Sequence, residues 1–455
     1  MDSGSGIDKR MAVDKDAAAA SQISYMEALR AVLAQASLLQ QTDTSAEIVS
    51  LADAVGRILA APILADRDQP PFHRSTRDGY ALRAEDLASA EAGHQLRLIG
   101  QLRAGEVWPT YRGALGAGEA VEIMTGAPIP PGADAVLMLE HAELDAFSSR
   151  LRPALGRKIL TGANIVPRGA EAKQGEVLAT PGTQIYAPHI ALAASCGAAN
   201  LSVYRQPRVA ILTTGDELVD PDGSASSIAT HQIYNSNAYS TAALVQAAGA
   251  ISVQLPTARD QRESLASGIR AALDASTDAD LLLLSGGVSM GKFDLVEEVL
   301  ASFGAEFFFT GVRVQPGKPL VFGKIPAAAG IAARYFFGLP GNPISTMVTF
   351  ALFVRPLLAA LEGERNWQPY FVMARLSQQV HNVGGLTRFL PAWLDRGFDH
   401  ADHNAALPEP TVTPIPWQGS GDVAANARAN AYIVAPEDET CLAAGSYVRI
   451  LLLDL

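Results

Sequence analysis

The sequence predicts a multidomain chain of α/β plus β class, in which a central doubly wound α/β domain lies between β-rich regions. Three observations lead to that reading. In Asp280-Leu-Leu-Leu-Leu-Ser-Gly-Gly287 four leucines stop abruptly at glycines, which suits a short parallel strand buried on both faces. The helical spacing of Leu295-Val-Glu-Glu-Val-Leu300 completes a strand, glycine loop and helix. Two other stretches repeat the design. Arg208-Val-Ala-Ile-Leu-Thr-Thr-Gly-Asp-Glu217 runs into a turn ending in two carboxylates, and Tyr335-Phe-Phe-Gly-Leu-Pro-Gly-Asn-Pro343 puts a proline at the first position of the next helix. Finally, strands and helices alternate over 206–360, whereas the flanks show short stretches broken by glycine and proline.

Three such turns gather at the carboxyl ends of parallel strands, where open α/β sheets bind their ligands. Glycines there let backbone approach a ligand, and a helix start offers free N–H groups to anions. Asp294 reads either as a helix N-cap, with Glu297 completing a capping box, or as a metal ligand.

Composition narrows the class. A chain of 455 residues is more than one domain, and 48% hydrophobic with 18% charged residues makes it globular. Cys196 and Cys441 carry no pairing or metal spacing, which fits a reduced cytoplasmic protein. No apolar run reaches membrane-spanning length and no signal-peptide core is present, so no membrane association is expected. The formal charge of −12 argues against nucleic-acid binding. An anionic substrate must therefore meet a local cluster of cations and backbone donors.

Taken in order, residues 1–20 are small, charged and alanine-rich, and read as disordered. Residues 24–39 and 46–59 have helical spacing and predict two helices that pack onto something supplied later. Asp78-Gly79 reads as a turn into a strand at Tyr80-Ala-Leu82. Thr125-Gly126-Ala127 is a strand end turning sharply, where the hydroxyl either binds an anion or caps the turn. Residues 161–186 suggest a small β element, and 189–197 a short helix. Asn235-Ser-Asn237 starts a helix over 238–248, with Asn237 as its cap or a ligand contact. Asp260 reads as the cap of the next helix. Lys318, held between prolines beside a glycine, is a candidate for anion binding. From 365 onward short strands indicate a separate β domain.

Jointly these motifs resemble the molybdopterin molybdenumtransferases, the MoeA family, which shares its architecture with the gephyrin E domain. The matching elements run in order from about 21 to 455. They are the stretch Pro70-Pro-Phe through Ser75 to Asp78-Gly-Tyr-Ala81, then Met124-Thr-Gly-Ala-Pro128, Thr214-Gly-Asp-Glu-Leu218, Ser285-Gly-Gly-Val-Ser289 with Asp294, Pro316-Gly-Lys-Pro319 and Leu339-Pro-Gly-Asn-Pro-Ile-Ser345. One such motif is weak, but six in order are specific.

The resemblance implies an elongated homodimer of four-domain chains. It assigns 21–63 and 166–205 to a helical/β dimerisation domain, 64–165 to an inserted β domain, 206–362 to the α/β pterin-nucleotide-binding domain and 363–455 to a C-terminal β-barrel. It implies molybdenum cofactor biosynthesis: adenylylated molybdopterin (molybdopterin-AMP) and molybdate are substrates, AMP is released and molybdenum stays on the dithiolene, with Mg2+ assisting. Cleaving a phosphoanhydride requires neutralising phosphate charge, which a metal ion on one or two carboxylates supplies. Glu217, Asp260 and Asp294 match the family's metal and nucleotide positions, and Lys318 its substrate-stabilising lysine. Thr214, Gly215, Asn237, Ser285, Gly286, Gly287, Ser289, Pro316, Gly317, Pro340, Gly341, Asn342 and Ser345 would surround the ligand, with cations from Arg168 and Arg388. Asp78 and Thr125 match catalytic positions that reach across the dimer. Molybdopterin adenylyltransferase is a further partner in that scheme.

The chain departs from the family pattern at four places. Arg77 stands where methionine is usual, Val166-Pro167-Arg168 replaces a more arginine-rich run, Ala170-Glu171 replaces a Glu-Asp pair, and Gln315 stands where some members have lysine. These bear on molybdate affinity rather than on the fold. The competing readings are a molybdopterin adenylyltransferase, which is built from the α/β domain alone, and a gephyrin-like scaffold or inactive paralogue, which has no need of a carboxylate and lysine cluster.

Overall fold

The computed structural model describes residues 22–39, 45–91, 95–145, 147–154, 159–221, 228–287, 295–327, 333–397 and 409–453. The expectation for residues 1–20 lies outside them. The chain divides into two units, one of Met1–Glu47, Gly56–Ala60 and Val203–Leu455, the other of Ile48–Val55 and Ala61–Ser202.

In the larger unit the α/β sheet forms around the leucine run. Its order is Ile251–Gln254, Arg208–Thr213, Leu281–Ser285, Arg334–Leu339, Val321–Ile325 and Glu306–Phe309. The first four strands run parallel, and each of the last two is antiparallel to its neighbour. All five residues of Leu281–Ser285 are buried, as a strand covered on both faces requires. Side chains alternate along a strand, so the leucines divide between two cores. Leu282 and Leu284 pack with the helices Arg262–Leu273 and Leu295–Ser302. Leu281 and Leu283 join Val245 of the helix Ser236–Ala247 and the apolar face of Pro343–Leu361.

That last segment runs as α-helix, one π-turn at Phe350–Val354 and α-helix again. By length and a mean hydropathy of 1.8 it is the one helix among the described residues apolar enough to cross a membrane. The sequence reading opened a helix at Pro343 but saw no run of spanning length, since Arg355 and Pro356 interrupt it. With 78% of it buried, it is the central helix of a core.

A closed five-stranded barrel follows. Thr387–Asp395 pairs with Thr411–Pro414, which pairs with Phe371–Leu376, then Tyr447–Leu452, then Ala431–Ala435, which returns to Thr387–Asp395. Closure removes every free edge except where the strand Val312–Gln315 is added in parallel, with Gln315 opposite Arg388. This pairing joins the barrel to the α/β layer, and Phe389 and Tyr432 of the barrel share its core.

The first expected helix forms as Tyr25–Leu39, and one expectation needs correction. Tyr25, Leu29 and Val32 enter the α/β core, with the Tyr25 ring edge-on to Phe353 at 5.9 Å and Phe389 at 5.7 Å. The second helix, over 46–59, is absent. Ala46–Ser50 is a strand, the Ser50 hydroxyl is locked to Asp53 at 2.6 Å, and Gly56 has φ +81. Local turn bonds and a left-handed glycine outweigh an apolar spacing that imitates a helix.

The smaller unit is built on a six-stranded sheet in the order Ala135–Met138, Gly79–Leu82, Glu119–Ile123, Leu96–Leu102, Arg150–Pro153, Ala142–Asp145. Two short pairs accompany it, Arg74–Ser75 with Ile165–Val166 and Ile63–Leu64 with Val177–Ala179. The short alanine-rich helix is present as Ala187–Ser195.

Candidate functional site

Register brings three turns to one level. Thr213 sits opposite Ser285, and Ser285 opposite Leu339. The turns starting at Thr214, Gly286 and Pro340 therefore leave the sheet side by side, as the sequence predicts. They border a cleft of about 1120 Å³ completed by the turn at Gln315–Pro319 and by the barrel residues Leu386, Arg388 and 417–421.

The three turns are tied together by buried polar groups. Asn237 donates through Nδ2 to the Ser285 hydroxyl at 2.9 Å and to the Gly341 carbonyl at 2.7 Å. It is not the helix cap. Asn235 is, accepting from the Ala238 N–H at 3.2 Å while its own amide donates to the Thr213 and Thr257 hydroxyls. Nor does Asp260 cap the helix Arg262–Leu273, whose N-cap position is Gln261. Its Oδ1 instead accepts from the Thr214 hydroxyl at 2.7 Å, which fixes the carboxylate at the cleft wall.

Glycine is required where the backbone crowds. At Gly286, φ is +96 and a Cβ would lie 2.3 Å from the Thr214 carbonyl oxygen. Gly286→Ala therefore combines a left-handed conformation with a backbone clash, and we expect a loss of roughly 2–4 kcal/mol. Urea denaturation of the variant checks this, and an unchanged midpoint would exclude the close approach.

Charge is distributed unevenly along the cleft. Glu217 and Asp260 lie exposed at one end. At the other, the cis Gln315-Pro316 bond leads into Gly317 and Lys318. Among the described residues the Lys318 ammonium and the Glu217 carboxylate make no hydrogen bond or ion pair. Arg388 stands beside this turn through the Gln315 register. Among the described residues it has no carboxylate partner, its Nη1 reaches the Asn382 amide oxygen at 3.4 Å, and its Nε is buried without an acceptor. Desolvation lowers its pKa below that of a free guanidinium. Two cations uncompensated among the described residues thus line the same cleft, and an anion would satisfy them.

The barrel contributes residues that the sequence reading missed. Trp417 borders the cleft, and the next loop reaches the start of the helix Pro343–Thr349. Asn342 donates to the Ser420 hydroxyl at 2.9 Å, and the Ser420 carbonyl takes the Ile344 N–H at 3.0 Å. One N–H of that helix start is therefore already used, while those of Gly341 and Asn342 donate no hydrogen bond among the described residues. The signal was local but unspecific, a Gly-Ser-Gly run after a tryptophan.

Of the remaining site residues, Thr214, Ser285, Gly287, Pro316, Pro340 and Ser345 all border this cleft, and Ser289 and Asp294 lie outside the described residues. Gly215 belongs to the Thr214 turn, its N–H donating to the Ala258 carbonyl. Asp78, Thr125 and Arg168 belong to the smaller unit. There Asp78 Oδ1 accepts from the Thr125 N–H at 2.6 Å and its hydroxyl at 2.8 Å, and these bonds hold its pKa below the usual range. Arg168 is paired with Asp68 at 2.9 Å. Among the described residues no three His, Cys, Asp or Glu side chains cluster as a metal site.

Comparison with known proteins covers nearly the whole chain. Residues 23–197 match the MoeA N-terminal region (domain I and II), 210–360 a probable molybdopterin binding domain, and 373–453 the MoeA C-terminal region (domain IV). Molybdopterin molybdenumtransferases from Nostoc sp. and Bacillus subtilis are each 34% identical, over 91% of this chain and 90% and 91% of their own. A solved molybdopterin biosynthesis MoeA protein from Pyrococcus horikoshii superposes with a TM-score of 0.72 at 31% identity, covering 95% of this chain and 99% of that one.

Proposed function

Because the chain belongs to the molybdopterin molybdenumtransferase (MoeA) family, we propose that it inserts molybdenum from molybdate into adenylylated molybdopterin and releases AMP. One observation carries this reading. The cleft holds two exposed carboxylates at one end and, at the other, two cations with no carboxylate partner among the described residues, with backbone donors between them. A phosphoanhydride substrate with a second oxyanion needs that combination. The Asn237 bridge keeps the turns in one geometry, so the donors are already oriented when substrate arrives.

Glu217 and Asp260 suit magnesium, a hard cation usually held by one or two carboxylates and completed by phosphate oxygens and water. Bound there with Asp294, it would neutralise charge on the phosphate. Lys318 and Arg388 would hold the anionic groups at the far end. Asp78 and Thr125 are proposed to act in the cleft of a second subunit of a homodimer, with Arg168 as an accessory cation, in a cytoplasmic enzyme that receives substrate from an adenylyltransferase. The domain boundaries at 21–63 with 166–205, 64–165, 206–362 and 363–455 belong to the same proposal.

AMP release from adenylylated molybdopterin, with magnesium and with or without molybdate, tests the reading. We expect molybdate-dependent release that falls at least about a hundredfold in Glu217→Ala and Asp294→Ala. Nucleotide binding without molybdate-dependent turnover would remove the transferase reading and favour a scaffold. Release that survives both substitutions would keep the activity and discard the carboxylate assignment.

A further inference from the structure

The two ends of the cleft differ in aromatic lining as well as in charge. At the carboxylate end Ile233 and Tyr234 border it while remaining 55% and 45% exposed. They form a two-residue strand beside Leu218–Val219, directly after Glu217, and the Ile233 N–H donates to the Glu217 carbonyl at 2.9 Å. The next residue, Asn235, is 1% exposed and anchored to the Thr213 and Thr257 hydroxyls. The ring of Tyr234 is thus open to the cleft on a backbone held rigid beside a carboxylate. At the cation end stands Trp417. It packs against both the α/β and barrel cores and follows Ile415, whose N–H donates to Pro391, three residues from Arg388.

Resting on the transferase reading above, we infer that these residues set the direction of the substrate, with the nucleobase stacked on Tyr234 and the pterin on Trp417. Adenylylated molybdopterin carries a pterin with a planar pyrimidine ring at one end and a flat adenine at the other, joined through a pyrophosphate. A cleft with an aromatic platform beside the charged groups at each end, and backbone donors between, matches that plan. Stacking tolerates any flat base, so the platforms supply affinity and direction while the charged groups supply chemistry. The arrangement leaves the AMP half beside Glu217 and Asp260, and the metal-accepting half beside Lys318 and Arg388.

Calorimetric binding of AMP, and separately of a free pterin bearing no nucleotide, to the full chain without molybdate tests this. Tyr234→Ala should weaken AMP roughly tenfold or more and leave the pterin unchanged, and Tyr234→Phe should restore AMP. Trp417→Leu, which keeps an apolar group in the core, should weaken the pterin by a similar factor and leave AMP unchanged. Equal AMP affinity in wild type and Tyr234→Ala, or AMP loss in Trp417→Leu, would overturn the assignment. Wild-type protein that binds neither probe would instead overturn the transferase reading on which it rests.

Discussion

Lys318→Ala is expected to lower molybdate-dependent AMP release about a hundredfold, with the loss in kcat rather than in magnesium requirement. The lysine has no carboxylate to neutralise among the described residues, and it sits in a turn fixed at both ends. The strand before that turn is paired to the barrel at Val314 and Gln315, while the Val312 N–H donates back to the Lys318 carbonyl at 3.0 Å. Its ammonium therefore approaches the cleft without reorganisation, the condition under which one charged donor has its largest effect. Lys318→Arg should recover only part of the rate, because a planar fork does not replace a compact point charge. Thermal melts of all three proteins separate this from misfolding. A Lys318→Ala enzyme within threefold of wild type at saturating molybdate would show that Arg388 alone carries the anion.

The parts of this site that sequence makes legible are those with local causes. Glycines at the ends of apolar strands, and a proline opening a helix, act over three or four residues, so the Ser285–Gly287 and Gly341–Pro343 turns could be read directly. The carboxylate-bearing turn at Thr214–Glu217 was visible for the same reason. Long-range pairing has no such signature. Nothing near Gln315 announces that it will lie opposite Arg388, more than seventy residues on, yet that register gathers the two cations. Trp417 and Ser420 were hidden likewise, since their place depends on how the barrel closes. Where two residues could serve one local role, chemistry alone did not choose. Asn235 and Asn237 both suit a cap, and only burial against Thr213 and Ser285 decides which one caps and which one bridges. At 46–59 the apolar spacing was real, but Gly56 and the Ser50–Asp53 bond prevailed over it.

Glu362→Gln should stabilise the protein above neutral pH and leave it nearly unchanged at pH 5. Glu362 ends the long central helix, is 7% exposed, and has one carboxyl oxygen without a hydrogen-bond partner. It is pressed against the turn at Gly249, where a Cβ would lie 3.0 Å from that same oxygen. Burial is the main reason its pKa rises from the ordinary 4.5 to about 8, with Glu364 adding to the rise and Arg355 and Arg57 opposing it. The folded state thus holds a proton that the unfolded chain releases near pH 4.5. That proton stabilises the fold fully below pH 4.5, and the contribution is lost as pH climbs towards 8. Each pKa unit corresponds to about 1.4 kcal/mol, so the loss is on the order of 4 kcal/mol across that window. Glutamine keeps the shape and the neutral charge, which removes this slope while every other titrating group keeps its own. Urea unfolding of both proteins at pH 5, 7 and 8.5 gives the comparison. A difference that does not grow with pH would mean that the carboxylate is already ionised in the fold and compensated by Arg355. A gap that opens between pH 5 and 8.5 would establish Glu362 as a neutral acid within the helix layer that supports the cleft.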